Sequence, residues 1–175
     1  MNDEDFMREA LALAAEAESR GEVPVGALVV RDGAIIGRGG NQPISAHDPT
    51  AHAEVMALRD AARLEGNYRL TGATLYVTLE PCSHHGRTPP CTNALIQSGV
   101  ARVVAAIEDP NPLVAGQGLA RLRAAGILTE VGVLADQARE INIGFFSRMQ
   151  RGRPWVRMKI AASLDGGTAL INGAR

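Results

Sequence analysis

The chain has 175 residues, of which 46% are hydrophobic, 3% aromatic and 21% charged. These proportions fit one ordinary globular domain and exclude a disordered or fibrous chain. The formal net charge of -1 argues against a protein whose whole surface is basic and binds nucleic acid. A local basic patch is compatible with this charge. No apolar run approaches the roughly 20 residues that span a bilayer, and the acidic start at Met1–Asp5 is unlike a secretory signal. We therefore expect a cytoplasmic protein that does not cross a membrane.

Hydrophobic periodicity predicts helices and strands in the first half of the chain. Residues 4–19 have the pattern of an amphipathic helix, and residues 25–30 and 34–37 that of a hairpin around Asp32-Gly33. A loop over 39–50 leads to a helix over 51–64. We expect Thr50 or Asp48 to cap this helix, and Val55, Leu58 and Ala62 to form its buried stripe.

Strands and helices continue to alternate in the second half. The pattern predicts strands over 73–79, 102–107 and 127–133. It also predicts three helices: one that begins at Thr88-Pro89-Pro90, one over 116–125 and one over 136–149. Such alternation is typical of an α/β sandwich with a mixed sheet, in which the hairpin supplies the antiparallel edge.

The C-terminal residues read as a separate unit. Residues 154–161 alternate apolar and basic side chains, as a half-buried strand does, and little chain remains to cover that strand. We therefore divide the chain into a main domain, 1–150, and a tail, 151–175. The apolar side of the tail, at Val156, Met158 and Ile160, gives a physical motive for self-association.

The histidines and cysteines are crowded into one part of the sequence. All four histidines and both cysteines lie between positions 47 and 91. His52, Cys82 and Cys91 would supply one imidazole and two thiolates, which leaves the fourth position of a tetrahedral zinc ion open for water. Three protein ligands with an open position indicate a catalytic rather than a structural zinc, which lowers the pKa of the water. We also expect the start of its helix to favour the thiolate of Cys91.

Glu54 suits a proton shuttle better than a ligand. It lies two residues after His52, about 200° around an ideal helix, so the two share no face in mid-helix. At a helix start, one side chain can bind the metal while the other reaches the bound water. Other readings remain: His-x-Glu alone is common, and the two cysteines could be buried thiols or a disulfide pair. The full order, His-x-Glu followed by Pro-Cys and a second Cys, is the pattern of zinc-dependent deaminases.

These motifs resemble the cytidine-deaminase superfamily, and two branches of it in particular. The first half is similar to the tRNA adenosine deaminases over Glu22–Ala27, Asn41–Ile44, His47–Glu54, Asn67–Leu70 and Ala73–Pro81. The second half is similar to the bifunctional riboflavin-biosynthesis deaminase–reductases over Glu80–Cys91, Asp109–Gly116 and Ser163–Gly166. The resemblance implies a cytidine deaminase-like, three-layer α/β/α sandwich with about five strands, and a tail similar to the first strand of a reductase domain.

Each half also departs from the branch it resembles. The tRNA enzymes have Cys-x-x-Cys where this chain has eight residues between its thiols, and the riboflavin enzymes have Pro-Asn-Pro where this chain has Val23-Pro24-Val25. A chimera of the two branches is one hypothesis that these departures raise.

The resemblance implies roles for individual residues. Both branches imply His52, Cys82 and Cys91 as zinc ligands and Glu54 as the proton shuttle. The riboflavin enzymes imply His84 and Arg87 over the substrate and its ribose phosphate; a solvated loop is the alternative. The tRNA enzymes imply that Asn41 bonds the base or sugar, that His47 and Asp48 shape the mouth, and that Glu22 and Val25 line the pocket. The backbone around Cys82 and Ala53 would orient the substrate. Asn41 could equally be a turn residue, and Val25 a packing residue.

The resemblance favours one function and leaves two alternatives. The first is hydrolytic removal of an exocyclic amine from the diaminohydroxyphosphoribosylaminopyrimidine of riboflavin synthesis. The second is adenosine-to-inosine deamination in tRNA, and the third is a zinc-bound scaffold without activity. Arg148, Arg151, Arg153, Arg157 and Lys159 could hold RNA phosphates, but a solvated helix end and strand edge explains them better. Both branches also imply a homo-oligomer, such as a dimer.

Overall fold

A five-stranded sheet forms the centre of the molecule, with helices on both of its faces. The structure is a computed structural model that describes residues 1–85, 88–112, 114–164 and 166–168. Its elements, in chain order, are α1 (Asp3–Ser19), β1 (Gly26–Arg31), β2 (Ala34–Gly40), α2 (Ala53–Glu65), β3 (Thr74–Val77), α3 (Cys91–Ser98), β4 (Arg102–Ala105), α4 (Gln117–Ala124), β5 (Leu128–Val131), α5 (Ala135–Ile141) and α6 (Ile143–Arg151).

The strands have the order β2-β1-β3-β4-β5. Strand β1 runs antiparallel to both β2 and β3, whereas β3, β4 and β5 are parallel to one another. The mixed sheet of about five strands and the hairpin at its antiparallel edge are therefore confirmed. None of the helices among the described residues has the length and apolar character needed to cross a bilayer.

The end of β2 shows that α1 and α2 lie on opposite faces of the sheet. A Cβ atom added at Gly39 would lie 2.3 Å from the carbonyl oxygen of Ala53 in α2. One added at the next residue, Gly40, would instead meet the carbonyl oxygen of Leu13 in α1, at 3.2 Å. Because successive residues of a strand face opposite sides, the two helices sandwich the sheet. The three-layer arrangement is confirmed.

Helix α2 differs from the expectation in its cap and in its buried face. It begins at Ala53, with His52 as the N-cap residue, so the expected cap at Thr50 or Asp48 is wrong. Asp48 instead accepts hydrogen bonds from the backbone and hydroxyl of Thr50, at 2.8 and 2.6 Å. Of the expected stripe only Leu58 is buried. Helix α2 packs closely on β2 through Ala53, Ala57 and Ala61, so Val55 and Ala62 are only half-buried.

The C-terminal part differs more. The single helix expected over 136–149 is two helices separated at Asn142, whose amide donates a hydrogen bond to the carbonyl oxygen of Pro24, at 2.9 Å. The expected strand over 154–161 is not formed: none of the described residues 152–168 belongs to a strand, since they pair with neither edge of the sheet. The division at residue 150 stays a prediction.

A polar cluster joins the first turn of α1 to three strands. The carboxylate of Asp3 accepts hydrogen bonds from the Tyr76 hydroxyl, at 2.6 Å, and from the Arg102 guanidinium, at 2.6 and 3.1 Å. Arg102 also pairs with Glu130 in β5. The hydrogen bond from Arg102, together with that from Tyr76, lowers the pKa of Asp3 below its usual value.

The variant Asp3→Asn should therefore lower the free energy of unfolding at pH 7 by about 1 kcal/mol, a value reduced by the partial exposure of the pair. The folded-state pKa lies below 3.8, so this stabilisation is present above that pH and is lost as the pH falls through the folded-state value. Urea unfolding at a series of pH values should show the wild type and the variant converging in acid.

The matched control is Glu4→Gln, which removes another first-turn carboxylate that pairs with the exposed Arg8 of the same helix. Its effect should be clearly smaller. An equal loss in both variants would mean that the charge of the helix end, and not the link to the sheet, provides the stabilisation.

Candidate metal centre and active site

His52, Cys82 and Cys91 come together from three parts of the chain. His52 precedes the first residue of α2, Cys82 lies in the loop after β3, and Cys91 is the first residue of α3. One ligand atom from each lies within 4.8 Å of the other two. The Cys91 sulfur is 3.2 Å from Nδ1 of His52, and the Cys91 N–H donates to the Cys82 sulfur at 3.2 Å.

The start of α2 explains how His52 and Glu54 face the same place. His52 has extended backbone angles, φ -73° and ψ 152°, so it lies outside the helical repeat. Glu54 lies in the first turn of the helix, and both side chains line one cavity. The 200° separation of mid-helix residues does not apply to a residue that precedes the helix.

The two thiols differ in their acidity. The pKa of Cys82 falls to about 4, because its sulfur accepts hydrogen bonds from Cys91 and from His52. The pKa of Cys91 rises instead, because of its hydrogen bond with Cys82 and its burial. The expectation that the helix start favours the thiolate of Cys91 is wrong, since the first N–H of α3 donates to the sulfur of Cys82. A nearby cation would be needed to stabilise a second thiolate.

The pKa values of Glu54 and His52 are both raised, and Cys82 contributes to both shifts. Burial, followed by the negative charge of Cys82, raises the pKa of Glu54 to about 7. The hydrogen bond with Cys82 raises the pKa of His52. A carboxyl group that titrates near neutrality can both accept and return a proton at that pH.

This donor set fits zinc. In tetrahedral coordination with about 2.3 Å to sulfur and about 2.0–2.1 Å to nitrogen, neighbouring ligand atoms are about 3.5–4 Å apart. The three ligand atoms already lie within 4.8 Å of one another. Imidazole and thiolate are also the side chains that zinc prefers in proteins.

A cavity of about 260 Å³ opens beside these residues. It is lined by His52, Glu54 and Cys82, by the apolar side chains Val23, Val25, Pro43 and Leu79, and by the polar residues Asn41, Glu80 and Asp109. Cavities for drug-sized ligands measure about 300–1,000 Å³, so this one has room for a ring rather than for a whole nucleotide.

Asn41 and Ala53 are joined to each other. The side-chain oxygen of Asn41 accepts the N–H of Ala53 at 2.8 Å, which satisfies the first amide of α2. Asn41 is therefore the side chain that holds the helix start, and it also lines the cavity. The N–H of Ala53 is used by this bond, so it is not free to orient a ligand.

The other expected contact residues lie farther out. His47, which has φ of 50°, and His84 are both exposed and are absent from the residues that line the cavity. His84 nevertheless lies near enough to Asp109 to influence it electrostatically. Arg87 lies outside the described residues.

Two acidic residues of the cavity had been given no role in the sequence analysis. Glu80 is buried and accepts backbone N–H groups of Asp109, Gly116, Gly118 and Leu119, at 2.8 to 3.3 Å. It thereby holds the segment after β4 against the cavity. Asp109 is carried by this segment, and burial raises its pKa. The sequence did offer an indication of both residues. Glu80 comes directly before Pro81-Cys82, and Asp109 begins one of the segments that resemble the riboflavin-biosynthesis enzymes.

Comparisons with known proteins agree with this geometry. Residues 1–107 match the family described as "Cytidine and deoxycytidylate deaminase zinc-binding region". The riboflavin biosynthesis protein RibD of Escherichia coli is 50% identical over 175 residues, which are 99% of this chain and 45% of that protein. RibD of Aquifex aeolicus is 47% identical over 174 residues, 98% of this chain and 46% of the relative. The chain thus spans just under half of the length of these relatives.

Solved structures give the same picture. A diaminohydroxyphosphoribosylaminopyrimidine deaminase/5-amino-6-(5-phosphoribosylamino)uracil reductase from Thermotoga maritima superimposes with a TM-score of 0.87, at 42% identity over 98% of this chain and 48% of that one. A structure from a study of tRNA:A34 deaminases has a TM-score of 0.70, at 35% identity over 78% of this chain and 98% of that one.

The match to RibD runs through both halves of the chain. A single relative accounts for both, so the hypothesis of a chimera gains no support. The His/Cys/Cys group, the buried Glu54 beside it and the matched region from residue 1 to residue 107 agree. The chain belongs to the cytidine and deoxycytidylate deaminase family.

Proposed function

We propose that the chain is a zinc-dependent hydrolytic deaminase, which replaces an exocyclic amine of a heteroaromatic ring by a carbonyl oxygen and releases ammonia. The observation that carries this proposal is that Glu54 and the His/Cys/Cys group adjoin one cavity of ring size. His52, Cys82 and Cys91 would hold the metal. Zinc, when bound there, supplies Lewis-acid activation of water near neutral pH.

Glu54 carries the protons in this proposal. Its carboxylate accepts a proton from the attacking water and delivers it to the ring nitrogen. It then takes the second proton of that water, from the hydroxyl group now on the ring carbon, and delivers it to the departing amine. Water and the amine are consumed, and the carbonyl product and ammonia are formed, so atoms and charge balance. A pKa of about 7 makes both directions of transfer accessible to this carboxyl group.

The cavity walls would hold the ring. Val25 and Leu79 offer apolar surface to its faces. The amide of Asn41 has its oxygen bound to Ala53, which leaves its NH₂ group as a donor to a ring or sugar acceptor. His84 and Arg87 are the side chains proposed to bind a phosphate, and His47 is the residue proposed to shape the entrance.

The proposed substrate is the diaminohydroxyphosphoribosylaminopyrimidine of riboflavin synthesis. The support comes from relatives named for riboflavin biosynthesis, which are 42% to 50% identical over at least 95% of the chain. The Thermotoga maritima protein, which is named for this deaminase activity, supports it as well.

The second candidate is adenosine in tRNA. It is favoured by the structural match to nearly the whole of a chain from the study of tRNA:A34 deaminases. The third candidate is a zinc-binding scaffold without turnover. A cytoplasmic location and a dimer stay predictions; the exposed Val156, Met158 and Ile160 support self-association.

Replacement of His52 tests the metal site. His52→Ala should lower the zinc content, measured by mass spectrometry of the metal, from one ion per chain to near zero, since two thiols alone bind zinc poorly. The control His47→Ala removes an exposed histidine outside the cavity and should keep its zinc. Full zinc occupancy in His52→Ala would contradict the assignment.

Glu54→Gln tests the proton shuttle. The variant keeps the size of the side chain, so it should retain zinc, but its turnover should fall by about 10³-fold because an amide cannot accept the proton. The matched control is Glu65→Gln, which removes a carboxylate at the other end of the same helix, where Glu65 pairs with Arg31. This variant should keep its activity. Turnover in Glu54→Gln within tenfold of the wild type would exclude the proposed role.

One competition assay decides between the substrates. Zinc-loaded protein is incubated with the diaminopyrimidine phosphoriboside and an adenosine-bearing anticodon stem-loop together, and the products are read by mass spectrometry. We expect loss of the pyrimidine amine alone, with Glu54→Gln as the inactive control. Inosine alone would support the tRNA reading, and neither product from zinc-loaded protein would support the scaffold.

A further inference from the structure

Three residues, Val23-Pro24-Val25, form a wall between two cavities. On one side is the candidate active-site cavity, which Val23 and Val25 line. On the other side is a cavity of about 560 Å³, lined by Val23, Pro24 and residues of α5 and α6. We call these three residues the wall. They belong neither to α1 nor to β1, so side-chain and backbone contacts must hold them in place.

Hydrogen bonds from two directions hold the wall. The N–H of Val25 donates to the carbonyl oxygen of Val23 at 2.8 Å, which closes a tight turn at Pro24, and the N–H of Asn41 donates to the carbonyl oxygen of Val25 at 2.9 Å. The remaining carbonyl, that of Pro24 at the apex, accepts a hydrogen bond from the amide of Asn142, at 2.9 Å.

Asn142 is buried at the point from which its side chain reaches Pro24. It is only 3% exposed, and it lies at the break between α5 and α6. Its amide also lies 3.4 Å from the carbonyl oxygen of Ala138, so both of its contacts are with backbone oxygens. A buried donor that reaches a residue 118 positions away ties the second-half helices to the wall of the site.

We propose that Asn142 is a positioning residue of the active site, which fixes the wall and thereby the apolar surface on which the substrate ring rests. This inference rests on the proposed deaminase function. The hydrogen bonds of Asn142 reach neither Glu54 nor the three metal-binding side chains. Its loss should therefore weaken binding of the ring and leave proton transfer and metal binding nearly intact.

The test compares Asn142→Ala with the wild type, using the diaminopyrimidine phosphoriboside and the zinc-loaded protein. KM should rise about tenfold, the change expected for one lost buried hydrogen bond, while kcat stays within about threefold and the zinc content is unchanged. The control is Ser147→Ala, which removes another buried side-chain hydrogen bond of α6, from Ser147 to the carbonyl oxygen of Arg153 at 2.8 Å.

The control separates positioning from general loosening of the helix. Ser147→Ala should lower the melting temperature to a similar extent and leave KM unchanged. An unchanged KM in Asn142→Ala, or an equal rise of KM in both variants, would overturn the proposal. Should Asn142→Ala not fold, Asn142→Asp keeps the side-chain shape but faces the Pro24 oxygen with an acceptor, and the same rise of KM is expected.

A readout without turnover keeps this proposal distinct from the proposed function. If the wild type deaminates neither substrate, the function fails, and the methyl NMR signals of Val23 and Val25 then test the wall. Asn142→Ala should shift these signals and Ser147→Ala should leave them in place. Unshifted signals in Asn142→Ala would exclude the positioning role whatever the activity.

Discussion

The close packing of α2 against β2 is the constraint on which the site depends. A Cβ atom at Gly37 or at Gly39 would lie 2.4 or 2.3 Å from a carbonyl oxygen of α2, so a larger residue at either position would push the helix away. With glycine there, the start of α2 reaches the end of β2, where Asn41 accepts the N–H of Ala53. His52 and Glu54 are thereby placed at the edge of the sheet at which the loop after β3 delivers Cys82.

The arrangement concentrates negative charge that the protein alone balances only in part. Cys82 and Glu54 line one cavity, and Cys91 lies beside Cys82. The described residues of the cavity lining include His52 as the one histidine and no lysine or arginine. The pKa of Glu54 is raised to about 7 and that of Cys91 is raised as well, which are the responses of groups that resist a further negative charge. A divalent cation bound by the two sulfurs and the imidazole would relieve this repulsion. Burial, the first cause of the raised pKa of Glu54, acts whether or not a cation is bound.

Sequence reasoning succeeded where a pattern is local or chemically specific, and failed where two distant segments decide the outcome. The sandwich and its hairpin follow from alternating periodicity, and the grouping of His52, Cys82 and Cys91 follows from residue types that zinc requires. The cap of α2 was wrong because Asn41, twelve residues earlier, bonds to the helix start in place of the adjacent Thr50. At the break between α5 and α6, Asn142 bonds to Pro24, a partner 118 residues away that no periodicity could indicate. The expectation of a thiolate at Cys91 was wrong because the N–H at the start of α3 bonds to the sulfur of Cys82, and the position of Cys82 depends on a loop that the sequence pattern does not define.

The chemistry and the choice of substrate depend on different kinds of structure. Three of the four groups proposed for chemistry, His52, Glu54 and Cys91, lie at the starts of helices that pack against the rest of the fold, and Cys82 lies in the loop after the central strand β3. The cavity walls are loops instead: the wall at Val23–Val25, the segment near Pro43 that Glu22 holds through the N–H groups of Ile44 and Ser45, and the segment of Asp109 that Glu80 holds. Each loop is anchored by one buried polar side chain. A substitution at an anchor can therefore alter which ring fits without altering how an amine is removed, which is how one fold can serve substrates as different as a small pyrimidine and a tRNA base.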